Sequence, residues 1–234
     1  MNDIDCIVSL TSWKGRIKNP EVPKVLYSII RQKTKYRFKT VLVLSEQEFP
    51  GKESELPETI RMFAENGLID ILWTEDNLKA YKKLYPVMKT YPELPIMTTD
   101  DDIILAEDCV ETYMNAHLRD PGVILTEQGS SMNDKGRTAG YSFRLFRLFP
   151  PHSLLDISSD YFKEYFKTSD DDAYVAVLAW AKKTRVKSLR SGKAKEIQSK
   201  EYRQTALRNE YRKNVNPVNC AMALMKALKD KRII

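Results

Sequence analysis

Residues 94–108 read LPIMTTDDDIILAED. Pro95-Ile96-Met97-Thr98-Thr99 is a short apolar and β-branched run, which predicts a buried strand. It ends in three consecutive carboxylates, Asp100, Asp101 and Asp102, and a second apolar trio, Ile103-Ile104-Leu105, follows at once. Carboxylates wedged between two apolar runs are costly to desolvate unless something pairs with them. In an extended chain residues i and i+2 face the same side, so Asp100 and Asp102 are expected to converge while Asp101 turns away. Two oxygen donors on a strand end suit Mg2+ or Mn2+, which take one or two protein carboxylates and fill the remaining positions with water and phosphate. A solvated polar turn is the plain alternative. The flanking apolar runs weigh against it, because such turns rarely sit between two core segments.

Working outward, residues 4–10 predict a first strand, ending in Thr11-Ser12 and a polar loop, Trp13-Lys14-Gly15-Arg16. Val22, Val25, Leu26, Ile29 and Ile30 have helical spacing over residues 22–32. Residues 40–44 predict a second strand, 57–65 a helix stopped by Asn66-Gly67, and 69–73 a third strand ending in Thr74-Glu75-Asp76. Asp76-Asn77 then caps an expected helix to residue 90, kinked near Pro86. The opening stretch is therefore the fourth strand. Strand–helix alternation at this spacing predicts an α/β fold, a mostly parallel sheet with helices on both faces. Ligands of such sheets bind outside the carboxyl ends of the strands, where Thr11-Ser12, Ser45-Glu46, Asp76 and Asp100–Asp102 all stand.

Downstream, a helix is expected over 107–118, a strand over 123–126 and another over 141–149, ended by Pro150-Pro151. Residues 129–140, GSSMNDKGRTAG, read as a mobile surface loop. Residues 161–166 are a short aromatic-rich segment. Residues 173–181, AYVAVLAWA, are apolar on every face and predict a buried helix. Ser169-Asp170-Asp171-Asp172 stands directly before it. These residues cap the helix and favour its positive end, or they mount a general base on a rigid element. Residues 182–213 hold twelve Lys/Arg against Glu196, Glu201 and Glu210. The plain reading is a solvated, partly helical surface, and the sharper one a basic face for an anionic membrane surface or a phosphate-bearing acceptor. An amphipathic helix over 216–228 follows.

The 234 residues, 42% hydrophobic and 30% charged, are those of an ordinary globular protein. No run is long enough to span a bilayer and the start lacks a basic signal region, so a cytoplasmic protein is expected. Cys6, Cys109 and Cys220 form no CxxC pair, and with only His117 and His152 a structural zinc site is not expected. The net charge of +6 points to anionic partners. Nucleic acid is disfavoured among them, because only Tyr202 and Tyr211 interleave with the basic tail. Lys79, Lys82 and Lys83, at i, i+3 and i+4, are expected to share one helical face.

An ordered set of short matches runs through residues 4–185. It comprises Val8-Ser9-Leu10-Thr11-Ser12, Leu44-Ser45-Glu46 with Phe49-Pro50, and Asn77-Leu78-Lys79-Ala80-Tyr81-Lys82-Lys83-Leu84. Thr99-Asp100-Asp101-Asp102, Phe149-Pro150-Pro151 with Ser153-Leu154, and Asp171-Asp172-Ala173-Tyr174 complete it. In this the chain resembles bacterial and viral glycosyltransferases of the GT-A type. The resemblance implies a Rossmann-like catalytic domain over 1–189, with a nucleotide-binding half to about 105 and an acceptor half from 106. Residues 190–234 would be a basic helical extension. It implies transfer from a nucleotide-sugar donor, UDP-linked ahead of others, to a glycan or glycolipid hydroxyl with inversion. Asp100 and Asp102 resemble the DxD pair that holds Mn2+ or Mg2+, with Asp102 the direct ligand. Thr11, Ser12, Arg16 and Asp76 would hold the nucleoside, and Lys79, Lys82 or Lys83 the phosphates, with Asp101 among the donor-binding residues. Asp172 or Asp171 would be the base. Two departures are Tyr174, where the family has tryptophan, and the lack of a histidine near the C-terminus as a third ligand. A metal-dependent nucleotidyltransferase or phosphohydrolase could use the same triplet.

Overall fold

A computed structural model describes residues 4–129, 131–134, 137–141, 143–156, 171–199 and 217–232. The first half builds four parallel strands: β1 (Cys6–Thr11), β2 (Phe38–Ser45), β3 (Asp70–Thr74) and β4 (Ile96–Thr99). They lie side by side in the order β3-β2-β1-β4. Both faces of this sheet are covered. Cys6, Val8, Leu10, Leu42 and Leu44 face one core, while Ile7, Val41 and Val43 face the other. Burial on both sides is why β1 and β2 read as continuous apolar runs rather than alternating ones.

The first core is closed by α1 (Glu21–Ile30), α2 (Glu58–Glu65) and α4 (Cys109–Arg119). A two-stranded ribbon joins it: β5 (Ile103–Leu105) pairs antiparallel with β11 (Ala194–Glu196). The second core holds α3 (Tyr85–Thr90), α5 (Asp171–Ala181) and α6 (Pro217–Asp230). Ala173 through Ala179 of α5 are all buried, as its all-round apolar sequence predicts. Ala221, Leu224, Met225 and Leu228 bring α6 into the same core.

The sheet continues past β4 with a reversal. β9 (Arg144–Phe149) is antiparallel to β4 on one side and to β6 (Val123–Gln128) on the other. β10 (Arg185–Ser188) then lies parallel to β6. The sheet has seven strands, one of them reversed, with helices on both faces.

Three expectations need correction. Residues 129–140 are not simply a loop, because β7 (Ser131–Asp134) and β8 (Arg137–Tyr141) form an antiparallel hairpin. The basic stretch from 182 contains β10 and β11, so it is not helical in its described part. The single helix expected after Asn77 is two pieces, a 3-10 turn (Lys79–Lys83) and α3. A proline at residue i removes the bond to the carbonyl of i−4 and clashes with it, so Pro86 cannot extend a helix through Lys82 and instead starts α3. The aromatic segment 161–166, together with Ser169 and Asp170, lies outside the described residues. Among the described residues no helix is long and apolar enough to cross a membrane.

Candidate active site

In the order β3-β2-β1-β4, the chain leaves β1 toward β2 on one side and leaves β4 toward the other, so the crevice beyond the carboxyl ends of β1 and β4 is the natural ligand site. The chain leaving β1 and the chain leaving β4 meet there. Ser12 Oγ donates to Asp101 Oδ2 at 2.5 Å, and Arg16 Nη1 to Asp101 Oδ1 at 2.5 Å. Arg16 Nη1 also lies 3.4 Å from Asp102 Oδ2. The turn carrying Arg16 is closed by its own N–H donating to the Trp13 carbonyl at 2.9 Å. Gly15 lets the Trp13 ring lie close against this turn, since a Cβ there would push the ring aside.

Asp101 therefore does not turn to solvent. It is buried, and both its oxygens are taken up in tying β4 to the loop after β1. Ser12 and Arg16 are engaged in the same tie, and Thr11 Oγ1 donates to the Val43 carbonyl at 2.7 Å. Of the expected donor-binding set, these four are occupied in building the crevice. Asp76 stands half-buried at the end of β3, where its carbonyl accepts from Thr74 Oγ1 at 3.0 Å. The adjacent Asn77 Oδ1 accepts from the Lys79 N–H at 3.0 Å, which starts the 3-10 turn.

The three lysines of that turn do not share a face. A 3-10 turn has three residues per turn, so positions i+3 and i+4 diverge. Lys82 and Lys83 are both buried. Lys82 Nζ reaches Glu48 Oε2 at 2.5 Å and Asn77 Oδ1 at 3.1 Å. Burial pulls Lys82 below the usual lysine value, opposed by Glu48. Lys83 Nζ sits between Asp100 Oδ1 and Asp171 Oδ2, the latter at 2.9 Å. Burial would lower Lys83, but Asp100 and Asp171 outweigh it and hold its pKa above the usual range. Burial also lowers Lys79, which is half-buried at the start of the turn.

Arg147 of β9 completes the junction. Its Nη2 donates to Asp172 Oδ1 at 2.7 Å and to the Phe143 carbonyl at 3.2 Å, and its Nη1 lies 3.5 Å from Asp100 Oδ2. Two acidic clusters some seventy residues apart in sequence are thus joined through Lys83 and Arg147. Asp171 and Asp172 are in the first turn of α5, whose positive end favours them. Sequence reading missed Arg147. Its signal was a lone cation among the apolar residues of Phe146, Leu148 and Phe149, a position that demands a buried partner.

Five carboxylates, Asp100, Asp101, Asp102, Asp171 and Asp172, face three cations, Arg16, Lys83 and Arg147. The surplus is visible in their titration. Burial works to raise Asp100, but Lys83 and Arg147 prevail and hold it down at about 2. Burial, then Asp100 and Asp101, push Asp102 up to about 7. Burial pushes Asp172 up to about 8, with Asp171 and Asp100 adding to it and Arg147 opposing. Burial also raises Asp101, against Arg16 and Ser12.

Among the described residues no group of three His, Cys, Asp or Glu is arranged to hold a metal ion. The donor set that exists is all oxygen. Asp102, a quarter exposed, has only the long Arg16 contact, whereas Asp100, a third exposed, is committed to Lys83 and Arg147. That fits a Mg2+- or Mn2+-type ion completed by water and phosphate better than a protein cage.

Neither a scan of protein-family models nor a search of curated proteins gives a match. Solved structures do match. The mannosyltransferase PcManGT from Pyrobaculum calidifontis, in complex with GDP-Man and Mn2+, aligns with 97% of this chain and 75% of its own at 14% identity, with a TM-score of 0.55. S. aureus TarS 1-349 in complex with UDP aligns with 57% of this chain at 13% identity and a TM-score of 0.41; this chain spans 38% of that one. A 4-diphosphocytidyl-2C-methyl-D-erythritol synthase aligns with 86% of this chain and 96% of its own at 10% identity and a TM-score of 0.49. The mostly parallel seven-strand sheet flanked by helices is an α/β fold of the GT-A type, like that of the mannosyltransferase.

Proposed function

We propose that this chain is a metal-dependent glycosyltransferase that moves a hexosyl unit from a nucleoside-diphosphate sugar, UDP-linked ahead of others, to a glycan or glycolipid hydroxyl with inversion. The observation that carries this reading is the Lys83–Arg147 junction, which brings Asp171 and Asp172 beside the aspartates at the end of β4. Carboxylates in two different settings, Asp100 held down at about 2 by Lys83 and Arg147 and Asp172 pushed up to about 8 by burial, suit two different tasks.

In this reading the half before β5 holds the donor and the half after it the acceptor. Asp102, with Asp100 beside it, would hold Mn2+ or Mg2+, which supplies positive charge at the diphosphate as the bond to the sugar breaks. Lys79 and Asp76 face the nucleotide from the ends of β3 and the 3-10 turn. Ser12, Arg16 and Asp101 act by fixing the crevice, and Thr11, Lys82 and Lys83 by holding the strand ends and the turn in place. Asp172 is the base. It is a quarter exposed against a tenth for Asp171, and Arg147 occupies only its Oδ1. It takes the proton from the acceptor hydroxyl as that oxygen attacks the anomeric carbon, and the nucleoside diphosphate leaves from the opposite face. Exposed Lys182, Lys183, Lys226 and Lys229 offer a basic face toward an anionic membrane surface on the cytoplasmic side.

Calorimetric titration with UDP-, GDP- and dTDP-linked sugars, with and without Mn2+, tests the reading. Binding of a donor only with metal, lost in Asp102→Ala, is expected. Absence of binding to every donor would overturn it. Release of pyrophosphate instead of a nucleoside diphosphate would transfer the site to nucleotidyl chemistry.

A further inference from the structure

The carboxyl end of β6 borders a second opening, of about 470 Å3, lined by Glu127, Gln128, Gly129, Arg144, Arg190 and Gly192. Because β6 runs parallel to β4 across the reversed β9, this opening lies on the same edge of the sheet as Asp100–Asp102. Its floor is Glu127, which is 2% exposed. The Glu127 carboxylate accepts from Tyr113 Oη at 2.9 Å, Ser191 Oγ at 2.5 Å and the Gly192 N–H at 2.6 Å. Its carbonyl accepts from the Arg190 N–H at 3.0 Å and from Ser188 Oγ at 3.2 Å. One buried residue thus fixes the whole turn from 188 to 192.

That turn holds Arg190 at φ 50°, a left-handed conformation that few non-glycine residues adopt. Such a backbone persists only where its surroundings over-determine it, and these conformations cluster at ligand sites. Across the opening, the Arg144 N–H donates to Thr126 Oγ1 at 3.2 Å, so its backbone is anchored too. Both arginines are exposed, and no carboxylate among the described residues pairs with either guanidinium. This contrasts with Arg16 and Arg147, each locked onto aspartates. Two guanidinium groups against one buried carboxylate leave the opening with a single positive charge. Planar guanidinium forks match a carboxylate or phosphate in two-point geometry, and the exposed Gln128 adds a neutral donor and acceptor for a hydroxyl. Beyond the opening the chain pairs as β11 with β5, and the Ile197 N–H then donates to the Asp102 carbonyl at 2.8 Å.

We propose that this opening is the acceptor subsite and that it selects a sugar bearing one acidic group, a carboxylate or a phosphate, gripped by Arg144 and Arg190. The role as acceptor subsite rests on the glycosyltransferase reading above; the preference for an acid does not.

The test is titration of the whole chain, followed by NMR, with methyl β-D-glucuronide, methyl β-D-glucoside 6-phosphate and the neutral methyl β-D-glucoside. At least one acidic probe is expected to bind roughly tenfold or more tightly than the neutral one, as for hydrogen bonds to a charged group. Which acid binds better names the anion. The advantage should vanish in the double variant Arg144→Gln, Arg190→Gln. Equal binding of all three probes, or an undiminished preference in the double variant, would overturn the acid selection. None of the probes carries a nucleotide, so a failed donor titration in the unaltered chain removes the acceptor role by itself and is told apart from either result.

Discussion

Asp172 carries two opposed demands. As the proposed base it must be ionised to accept a proton, yet burial, with Asp171 and Asp100, pushes its pKa up to about 8 from the ordinary 3.8. Between those values the unfolded chain is ionised here and the folded one protonated, so the native state binds more protons. Stability contributed by this group therefore falls as pH rises from 3.8 through about 8 and is level above that. Replacing Asp172 with asparagine keeps an acceptor for Arg147 and removes the charge. The variant is expected to melt higher than the parent at pH 8, by about 2–4 °C for each ~1 kcal/mol relieved, with no gain near pH 4. Its transfer rate should fall by about 10²–10⁴, the usual contribution of a positioned base. In the parent, kcat/KM should climb with pH to a plateau above about 8. Melting curves and rates across pH check both halves, and a variant with near-normal transfer would displace Asp172 from its role.

At the scale of elements, legibility followed burial. β1, β2 and β4 were readable because sheet strands packed on both faces are unbroken apolar runs, and α5 because its apolar residues cover the whole circumference. β7 and β8 were not, since their segment has almost no apolar content to mark a strand. β10 hid behind exposed Arg185 and Lys187, with only Val186 packed on the core. The Asp triplet and the Asp171–Asp172 pair could each be singled out locally. Their junction could not, because Lys83 and Arg147 reach them from elements whose direction depends on the 3-10 turn and the reversal of β9. The mount of Asp172 is itself testable as an element. α5 is enclosed so fully that Ala176, 1% exposed, has no room for growth. Ala176→Leu is expected to cost about 1–3 kcal/mol by overpacking, read as a lower denaturation midpoint in urea with an unchanged slope.

At the scale of the whole molecule, the surplus of negative charge in the crevice leaves a fold that a ligand completes. In the proposed reading a nucleoside diphosphate with Mn2+ would bind the native state alone, so at a hundred times its dissociation constant it should add about 2.7 kcal/mol. For a chain of this size that is a rise in melting temperature of about 5–10 °C, at about 2–4 °C per kcal/mol. Thermal melts with UDP and Mn2+ together, set against either alone, check it. The combination should exceed the sum of its parts if the ion and diphosphate share Asp102.

The reversed strand has a consequence for the chain's birth. β4 can pair with β1 as soon as both have been made, but its other neighbour finishes only at Phe149, which lies opposite Ile96. Some fifty residues separate them, about 2–10 s of translation at ~5–20 residues per second. Throughout that interval the nascent half-sheet offers an open edge to any extended segment nearby. The segment that ends the exposure is the one that carries Arg147 to Asp100. Closure of the growing sheet and delivery of the third cation to the aspartates are therefore one step in biogenesis, and a ribosome stalled before Arg144 would hold a chain both sticky and incomplete.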